Sequence, residues 1–362
     1  MARTPIPADW DDVTAEWMTA VLAPRFPGID VTGLDLVWRS DGSNRRARFT
    51  LERAAGVGPD VVFVKAEGAH REVHARNGNL FNEPRLLGSG VPLAVDHPEP
   101  YAVLLDEPGL DWLVVMEDVT TRGADPRDAT RPLTPAQATS GVLGLARLHR
   151  EHWGFVPEGH DTLGWVQTWA PTEGFQEGLR RRIPTGLERA APVLPAELAG
   201  WTAGDVLEAW ARYVALLDRD PVTLLHADAH IGNTYVLPGD GVGFLDWQVA
   251  RRGGWSQDVG HFLQGALETP DRRAHERAIV DAYCAEVGQG RPAGRVDPGE
   301  AWLWYRASTA YGLAIWLSTA GTDGYQSREV SLALARRFAQ AVVDLDGPAA
   351  LADLDRTGLT HA

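Results

Sequence analysis

Lysine is almost missing from this 362-residue sequence: of the 34 residues that are lysine or arginine, one, Lys65, is lysine and the rest are arginine. Cysteine is equally scarce. A single Cys284 excludes a disulfide framework within the chain and a cysteine-based zinc site; in the helix-like "VDAYCAEV" it is expected to be a small buried apolar residue. Long hydrophobic runs are lacking too, and none approaches the roughly 20 apolar residues of a membrane span. The opening "MARTPIPADWDDVTAEWM" has acidic residues and no apolar core, unlike a secretory signal. Positive charge is in deficit, with a formal net charge of −15. That argues against a nucleic-acid or anionic-membrane surface, both of which need basic fields. It is compatible with cationic small substrates, although solubility is its simplest meaning. A cytoplasmic protein, monomer or homodimer, with no nucleic-acid or membrane partner is the expectation.

What is present is enough apolar residue, 44% of the chain, for one large domain or two ordinary ones. "TAEWMTAVLA" reads as an amphipathic helix. "VTGLDLVWRS" and "RARFTLER" read as strands around the turn cluster "DGSN", followed by a third strand, "VVFVK", that ends on Lys65. "HREVHARN" is helix-like, and "YAVLLDE" and "WLVVMED" are strands, so sheet-rich structure ends near Asp118. Beyond it helices dominate. "LTPAQATSGVLGLARLHREHWG" starts with Thr134 as N-cap, Pro135 at the first helical position and Gln137 three after the cap; Val142, Leu145, Ala146 and His149 follow at helical spacing. "TAGDVLEAWARYVALLDRD", "AWLWYRASTAYGLAIWLS" and "SREVSLALARRFAQAVVDL" are further helices, and "QGRPAGRVDPGE" is a loop between helices. The domains predicted are 1–118 and 119–362.

The chemistry is concentrated in "TLLHADAHIGNTYVLPGDGVGFLDWQ". Thr234–Leu237 and Val242–Leu245 are predicted strands, and "PGDG" between them is a turn signal, so they form an antiparallel hairpin. Asn233 precedes the first strand and Asp246 follows the second, so the two converge at the open end. An amide oxygen beside a carboxylate suits a hard cation such as Mg²⁺, completed by water and phosphates. Asp228, in the loop leading into the hairpin, can orient or deprotonate a hydroxyl nucleophile, and His226 is expected to hold that loop through hydrogen bonds.

"HADAHIGN" followed by "DWQ" resembles the catalytic and metal-binding motifs of the aminoglycoside phosphotransferase and choline kinase-like superfamily, relatives of the protein kinases. "FLDWQVARRGGWSQDVGHFL" is similar to the ecdysteroid-kinase-like subgroup. The resemblance spans about residues 30–345 and is specific around 226–261; Ala227 stands where glycine is commoner. It implies an α+β, two-lobed protein-kinase-like fold, with a small β-rich N-lobe that binds nucleotide and a larger, mainly helical C-lobe for catalysis and acceptor. It also implies Asp228 as catalytic base, Asn233 and Asp246 as metal ligands, and Asp258 as a structural acid bracing the loop.

In the kinase template a lysine on the third strand contacts the α- and β-phosphates and pairs with a helix glutamate. Lys65 fits, and an ammonium is a point charge that the planar guanidinium fork replaces badly. Glu83 matches the family's ion-pair position, at a helix start with Pro84 at the first helical position; Glu72 is the alternative. In the phosphate loop, the backbone amides of Gly42, Ser43 and Asn44 are candidates to cap phosphates, against the reading of an ordinary hairpin turn. The backbone from Glu117 to Val119 is expected to meet the purine, as the resemblance suggests.

Other features carry less. His226-x-Asp228-x-His230 also resembles a metal-hydrolase fragment, but the hairpin spacing favours the kinase reading. His70 with His74, and His149 with His152, are expected on solvated or partly buried faces, as is Arg180 to Arg182. Trp302, Trp304, Tyr305, Tyr311 and Trp316 are expected mostly in the core. Glu268, Asp271 and Asp323 are candidates to meet a cationic acceptor. The expected function is transfer of the γ-phosphate of ATP (or GTP), with Mg²⁺, to a hydroxyl of a small acceptor. That acceptor is an antibiotic, giving resistance, or a metabolic alcohol, sugar or steroid-like molecule. A non-catalytic nucleotide-binding regulator is the remaining class, against which the intact Lys65, Asp228, Asn233 and Asp246 argue.

Overall fold

A computed structural model describes residues 4–219, 222–290 and 296–358. The chain divides into two compact units, Met1–Pro92 with His97–Ala124, and Leu93–Asp96 with Asp125–Ala362.

The first unit is built on helix α1 (Ala15–Leu22) and strands β1 (Asp30–Asp41), β2 (Asn44–Ala55) and β3 (Val61–Glu67). Two short helices follow, α2 (Arg71–Arg76) and α3 (Asn82–Gly88), then strands β4 (Pro100–Asp106) and β5 (Asp111–Glu117). The strands form one antiparallel sheet in the order β1-β2-β3-β5-β4. The inner strand β5 is apolar on both faces, because both are covered. On one face Val62, Val64, Leu113 and Val115 pack with Met18, Val21 and Leu22 of α1. On the other, Trp112, Val114 and Met116 pack with Leu80 and Leu87. Thr14 caps α1 by accepting the Trp17 amide at 3.1 Å, which fixes where the helix begins.

Two expectations here need correction. β3 does not end at Lys65 but runs on through Ala66 to Glu67, because Asn44 and Arg45 of β2 extend the ladder to those residues. Pro84 is the third residue of α3, not the first; it is still in the opening turn, where its missing N–H costs no helix bond.

The second unit contains strand β6 (Asp125–Pro126), helices α4 (Pro135–Glu151), α5 (Glu173–Ala190) and α6 (Ala203–Val214), and strands β7 (Thr223–Leu225), β8 (Thr234–Val236), β9 (Val242–Phe244) and β10 (Arg251–Gly253). Helices α7 (Ser256–Ala266), α8 (Thr269–Val287), α9 (Pro298–Ala307), α10 (Thr309–Ala320), α11 (Arg328–Asp344) and α12 (Gly347–Thr357) follow. The expected capping box starts α4: Thr134 Oγ1 accepts the Gln137 amide at 3.2 Å and Gln137 Oε1 accepts the Thr134 amide at 3.1 Å. α7 is buried along its whole length and packs on α4, α8, α9, α10 and α11. It is the core element on which the loops of the site rest.

The single helix expected over "AWLWYRASTAYGLAIWLS" is two, broken at Ser308. The Ser308 hydroxyl donates to the Tyr305 carbonyl at 2.7 Å and receives the Gln264 amide at 3.1 Å, which ties the break to α7. α6 ends at Val214, so the expected helix over "TAGDVLEAWARYVALLDRD" is shorter, and its last residue lies outside the described ones. Of the loop expected over "QGRPAGRVDPGE", residues 291–295 lie outside the described ones, and Pro298–Glu300 already belong to α9. Among the described residues no helix is long and apolar enough to cross a membrane.

Candidate active site

In the second unit, β7 delivers the chain to His226, and Asp258 of α7 receives it. Asp258 is fully buried; its two oxygens accept the backbone N–H groups of His226 at 2.7 Å and Ala227 at 2.8 Å. His149 of α4 donates from Nε2 to the same carboxylate at 3.2 Å, and its Nδ1 receives the Tyr283 hydroxyl at 2.9 Å. One carboxylate therefore ties the loop to two helices. His149, expected on a solvated or partly buried face, is fully buried; its helical spacing with Val142, Leu145 and Ala146 is the signal that puts it inside.

The loop then turns sharply. Ala227 has φ +66°, a left-handed conformation that glycine adopts without strain and alanine does not. The resemblance to a glycine-bearing motif thus has a backbone reason. His226 stabilises the turn through a defined tautomer: its Nε2 donates to the Leu245 carbonyl at 2.8 Å, and its Nδ1 receives the Asp228 amide at 3.3 Å.

Asp228 emerges with about a third of its side chain exposed. The Asn233 side-chain amide donates to its carbonyl at 3.0 Å and to Oδ2 at 3.1 Å. Crowding by protein, then the Asp246 carboxylate, pushes the Asp228 pKa well above the usual carboxylate range, and the Asn233 amide pulls it partly back. A raised carboxylate pKa brings proton affinity closer to what a general base needs.

The hairpin is present but one residue shorter on each strand than expected. β8 pairs with β9 in the register Thr234↔Phe244, and the Leu245 amide donates to the Asn233 carbonyl at 2.8 Å. Asn233 therefore lies opposite Leu245, and Asp246 comes one residue later, where φ of +62° turns the chain. Because Asn233 uses Nδ2 on Asp228, Oδ1 is its remaining acceptor. Among the described residues no three of His, Cys, Asp or Glu gather so as to hold a metal ion. Asn233 and Asp246 offer two hard oxygen donors and nothing softer, which fits Mg²⁺ with phosphate and water as its other ligands. The metal-hydrolase reading lacks the ligands it needs.

Two histidines missing from the expected site also face Asp228. His230 Nδ1 receives the Gly232 amide at 3.0 Å, and its Nε2 lies 3.7 Å from Asp228 Oδ2. His261 Nδ1 lies 3.9 Å from Oδ1. Burial lowers the His230 pKa to about 4 and that of His261 well below its usual value, so both rings are neutral at pH 7. A position three residues past Asp258 on α7 shares its helix face, a sequence signal that would have pointed to His261.

The first unit contains the remaining candidates. Lys65 Nζ lies 2.5 Å from Glu83 Oε2, both side chains nearly buried, while Glu72 is exposed. The buried Glu67 is occupied elsewhere, by the Trp112 indole at 2.9 Å, His74 at 2.9 Å and the Gly68 amide at 3.0 Å. Gly42 and Ser43 form the β1–β2 turn, with the Gly42 amide donating to the Asn44 carbonyl at 3.1 Å. Asn44 begins β2 and is buried, its side-chain Nδ2 without a hydrogen-bond partner. A Cβ on Gly68 would come within 2.7 Å of the Ser43 carbonyl oxygen, so glycine there lets the turn fold back on β3. Glu117 ends β5, its amide donating to the Glu99 carbonyl at 2.8 Å, and its carboxylate pairs with Arg122 at 2.7 Å. The Val119 carbonyl receives the Ala124 amide at 3.3 Å.

The acidic residues weighed for a cationic acceptor are mostly neutralised: Glu268 pairs with Arg336 at 2.8 Å and Arg337 at 2.5 Å, and Asp323 with Arg189 at 2.9 Å. Asp271 is exposed. Trp304, Tyr305, Tyr311 and Trp316 are core residues, as expected.

The sequence model of the phosphotransferase enzyme family matches residues 37–296, most of the chain. The protein belongs to that family. A phosphotransferase with an alcohol group of a small molecule as acceptor is thereby identified, within the aminoglycoside phosphotransferase and choline kinase-like superfamily. Solved structures share its fold. Spectinomycin phosphotransferase APH(9)-Ia, in complex with ADP and spectinomycin, is 14% identical, with 93% of this chain and 99% of that one covered and a TM-score of 0.51. Choline kinase from Cryptosporidium parvum Iowa II is 11% identical, with 96% and 94% covered and a TM-score of 0.50. The α+β protein-kinase-like architecture of this phosphotransferase is theirs. Among curated proteins, none matches the sequence.

Proposed function

We propose that this phosphotransferase moves the γ-phosphate of ATP (or GTP) to a hydroxyl of a small acceptor. The observation that carries the reading is the Asp228 carboxylate, held by Asn233 at 3.1 Å and raised in proton affinity by burial first and then by Asp246. Lys65, aligned by Glu83, binds the α- and β-phosphates as a point charge. Asp228 receives the hydroxyl proton and points the oxygen at phosphorus. His226 and Asp258 hold the loop so that this carboxylate needs no reorganisation. Asn233 and Asp246 would hold Mg²⁺, which neutralises phosphate charge when bound. Gly42, Ser43 and Asn44 border the phosphates, and the backbone from Glu117 to Val119 meets the purine. The small nucleotide lobe is residues 1–118 and the catalytic and acceptor lobe 119–362, in a cytoplasmic monomer or homodimer.

The acceptor we favour first is an antibiotic hydroxyl, making the protein a resistance enzyme. One observation supports the second reading, a metabolic alcohol, sugar or steroid-like acceptor: the arginines paired with Glu268 and Asp323 remove two of the charges a polycationic antibiotic would use. The test is a panel of hydroxylated compounds incubated with enzyme and magnesium–ATP, read by mass gain of one phosphoryl group. A gain confined to antibiotics supports the first reading, and one confined to neutral alcohols the second. No gain with any compound, together with no magnesium–nucleotide binding, would overturn both.

A further inference from the structure

Trp316, on α10, donates its indole N–H to His261 Nε2 at 3.1 Å. An indole nitrogen can only donate, so Nε2 must accept, and in the neutral ring the proton sits on Nδ1. Protonating the ring would set two N–H groups against each other. Trp316 therefore fixes both the tautomer and the neutrality of His261. The ring is clamped by aromatic neighbours, Tyr311 edge-on at 5.3 Å and Phe338 at 5.7 Å. Phe338 can approach because position 312 is glycine: a Cβ there would lie 2.1 Å from the ring.

The clamped Nδ1–H is buried and has no hydrogen-bond partner. Leaving such a donor unsatisfied costs about 1–3 kcal/mol. The acceptor it faces is Asp228 Oδ1, at 3.9 Å, too far for a direct bond but within reach of a small rotation of the aspartate. Asn233 and His230 both lie on the Oδ2 side, so His261 is the donor on the oxygen they leave.

We propose that His261, kept neutral by Trp316, is a positioning residue for Asp228, its Nδ1–H setting the direction of Oδ1 toward the acceptor hydroxyl. A neutral dipole orients the carboxylate, whereas a cation there would suppress the proton affinity that a base requires. This rests on the reading of Asp228 as the catalytic base.

The experiment has two arms on the full-length protein. In the first, ¹⁵N-histidine labelling and two-bond ¹⁵N–¹H correlations read the tautomer. His261 is expected as the Nδ1–H form, with Trp316→Phe mixing the tautomers; an Nε2–H form in the parent overturns the proposal. In the second, ADP release from magnesium–ATP is followed with water alone and with the hydroxylated panel. His261→Leu is expected to lower kcat about tenfold with nucleotide KM unchanged. His261→Asn, which keeps an N–H near the Nδ1 position, is expected to recover most of that loss. Equal rates in the parent and His261→Leu, or no recovery with His261→Asn, overturn the proposal. Circular dichroism and nucleotide binding check that each variant folds, and if no variant turns over, the tautomer arm decides. Asp228→Ala separates the two ideas: full turnover in that variant removes the base assignment itself, while loss of turnover with an indifferent His261 removes only the present proposal.

Discussion

Lys65 and Glu83 form an ion pair of 2.5 Å between side chains that are 6% and 3% exposed. The one lysine of the chain is thus removed from water and paired with a helix carboxylate. An arginine in its place would keep the charge but bring a wider planar group into a site packed for an ammonium. Lys65→Arg is expected to lose most phosphoryl transfer, on the order of tenfold or more in kcat/KM, measured as ADP release with an accepted hydroxyl compound. Parent-like rates would make the lone lysine an accident of composition. Glu83→Ala removes this carboxylate from the buried ammonium and is expected to destabilise the protein by about 3–5 kcal/mol, read from urea unfolding midpoints.

Asp228→Ala is expected to abolish turnover while magnesium–nucleotide still binds, since in the proposed reaction the carboxylate serves the acceptor hydroxyl. Isothermal titration with ATP, alongside the kinetic assay, checks both halves. Near-normal phosphorylation would refute the role.

Asp258 accepts two backbone N–H groups and a histidine N–H with no solvent to replace it. Asp258→Asn puts an amide N–H against one of those donors. The expected loss is about 2–4 kcal/mol of stability together with reduced kcat, seen by denaturant unfolding and steady-state rates. A variant as stable as the parent would show that the loop is held by other contacts.

Ala227 adopts φ +66° and is 1% exposed. Ala227→Gly relieves left-handed strain of about 1 kcal/mol but loses a buried methyl and gains unfolded-state freedom of similar size. The net change is expected within about 0.5 kcal/mol of zero. A β-branched side chain fits that conformation badly, so Ala227→Val is expected to destabilise by about 2 kcal/mol or more. Thermal melts of the pair test the ordering.

His152, at the end of α4, has its pKa lowered from 6.5 to about 4, by burial first and then by His149 and His160. Its folded-state value lies below its unfolded one, so its contribution is fully present above about pH 6.5. It is lost as the pH falls toward about 4, where the unfolded chain binds the proton more readily. Allowing for partial exposure, about 1–2 kcal/mol should disappear across that window. His152→Gln should flatten the stability–pH curve there; an unchanged curve would refute the assignment.

Most of the strands and the start of α4 are legible in the sequence because their signals are local. Alternating apolar residues, turn clusters such as "DGSN", and Thr134 with Pro135 and Gln137 act within a few residues of themselves. Motif spacing likewise carried Asp228, Asn233 and Asp246. The break at Ser308 was not legible, because what ends the helix is Gln264 of α7, distant in sequence. The shortened hairpin and the extended β3 were set by which neighbour the ladder found.

By itself, then, the sequence determined the class of protein and the residues to which we assign its chemistry: one lysine, one loop carboxylate, an amide and a carboxylate flanking a hairpin. Those depend on chemical identity and short spacing, both of which are written in the chain. Only the tertiary structure decided which partners those groups acquire: Glu83 rather than Glu72 for Lys65, His149 beneath Asp258, and the Trp316–His261 pair turned toward Asp228. Such pairings join residues far apart in the chain, and burial, not spacing, fixes their protonation and direction.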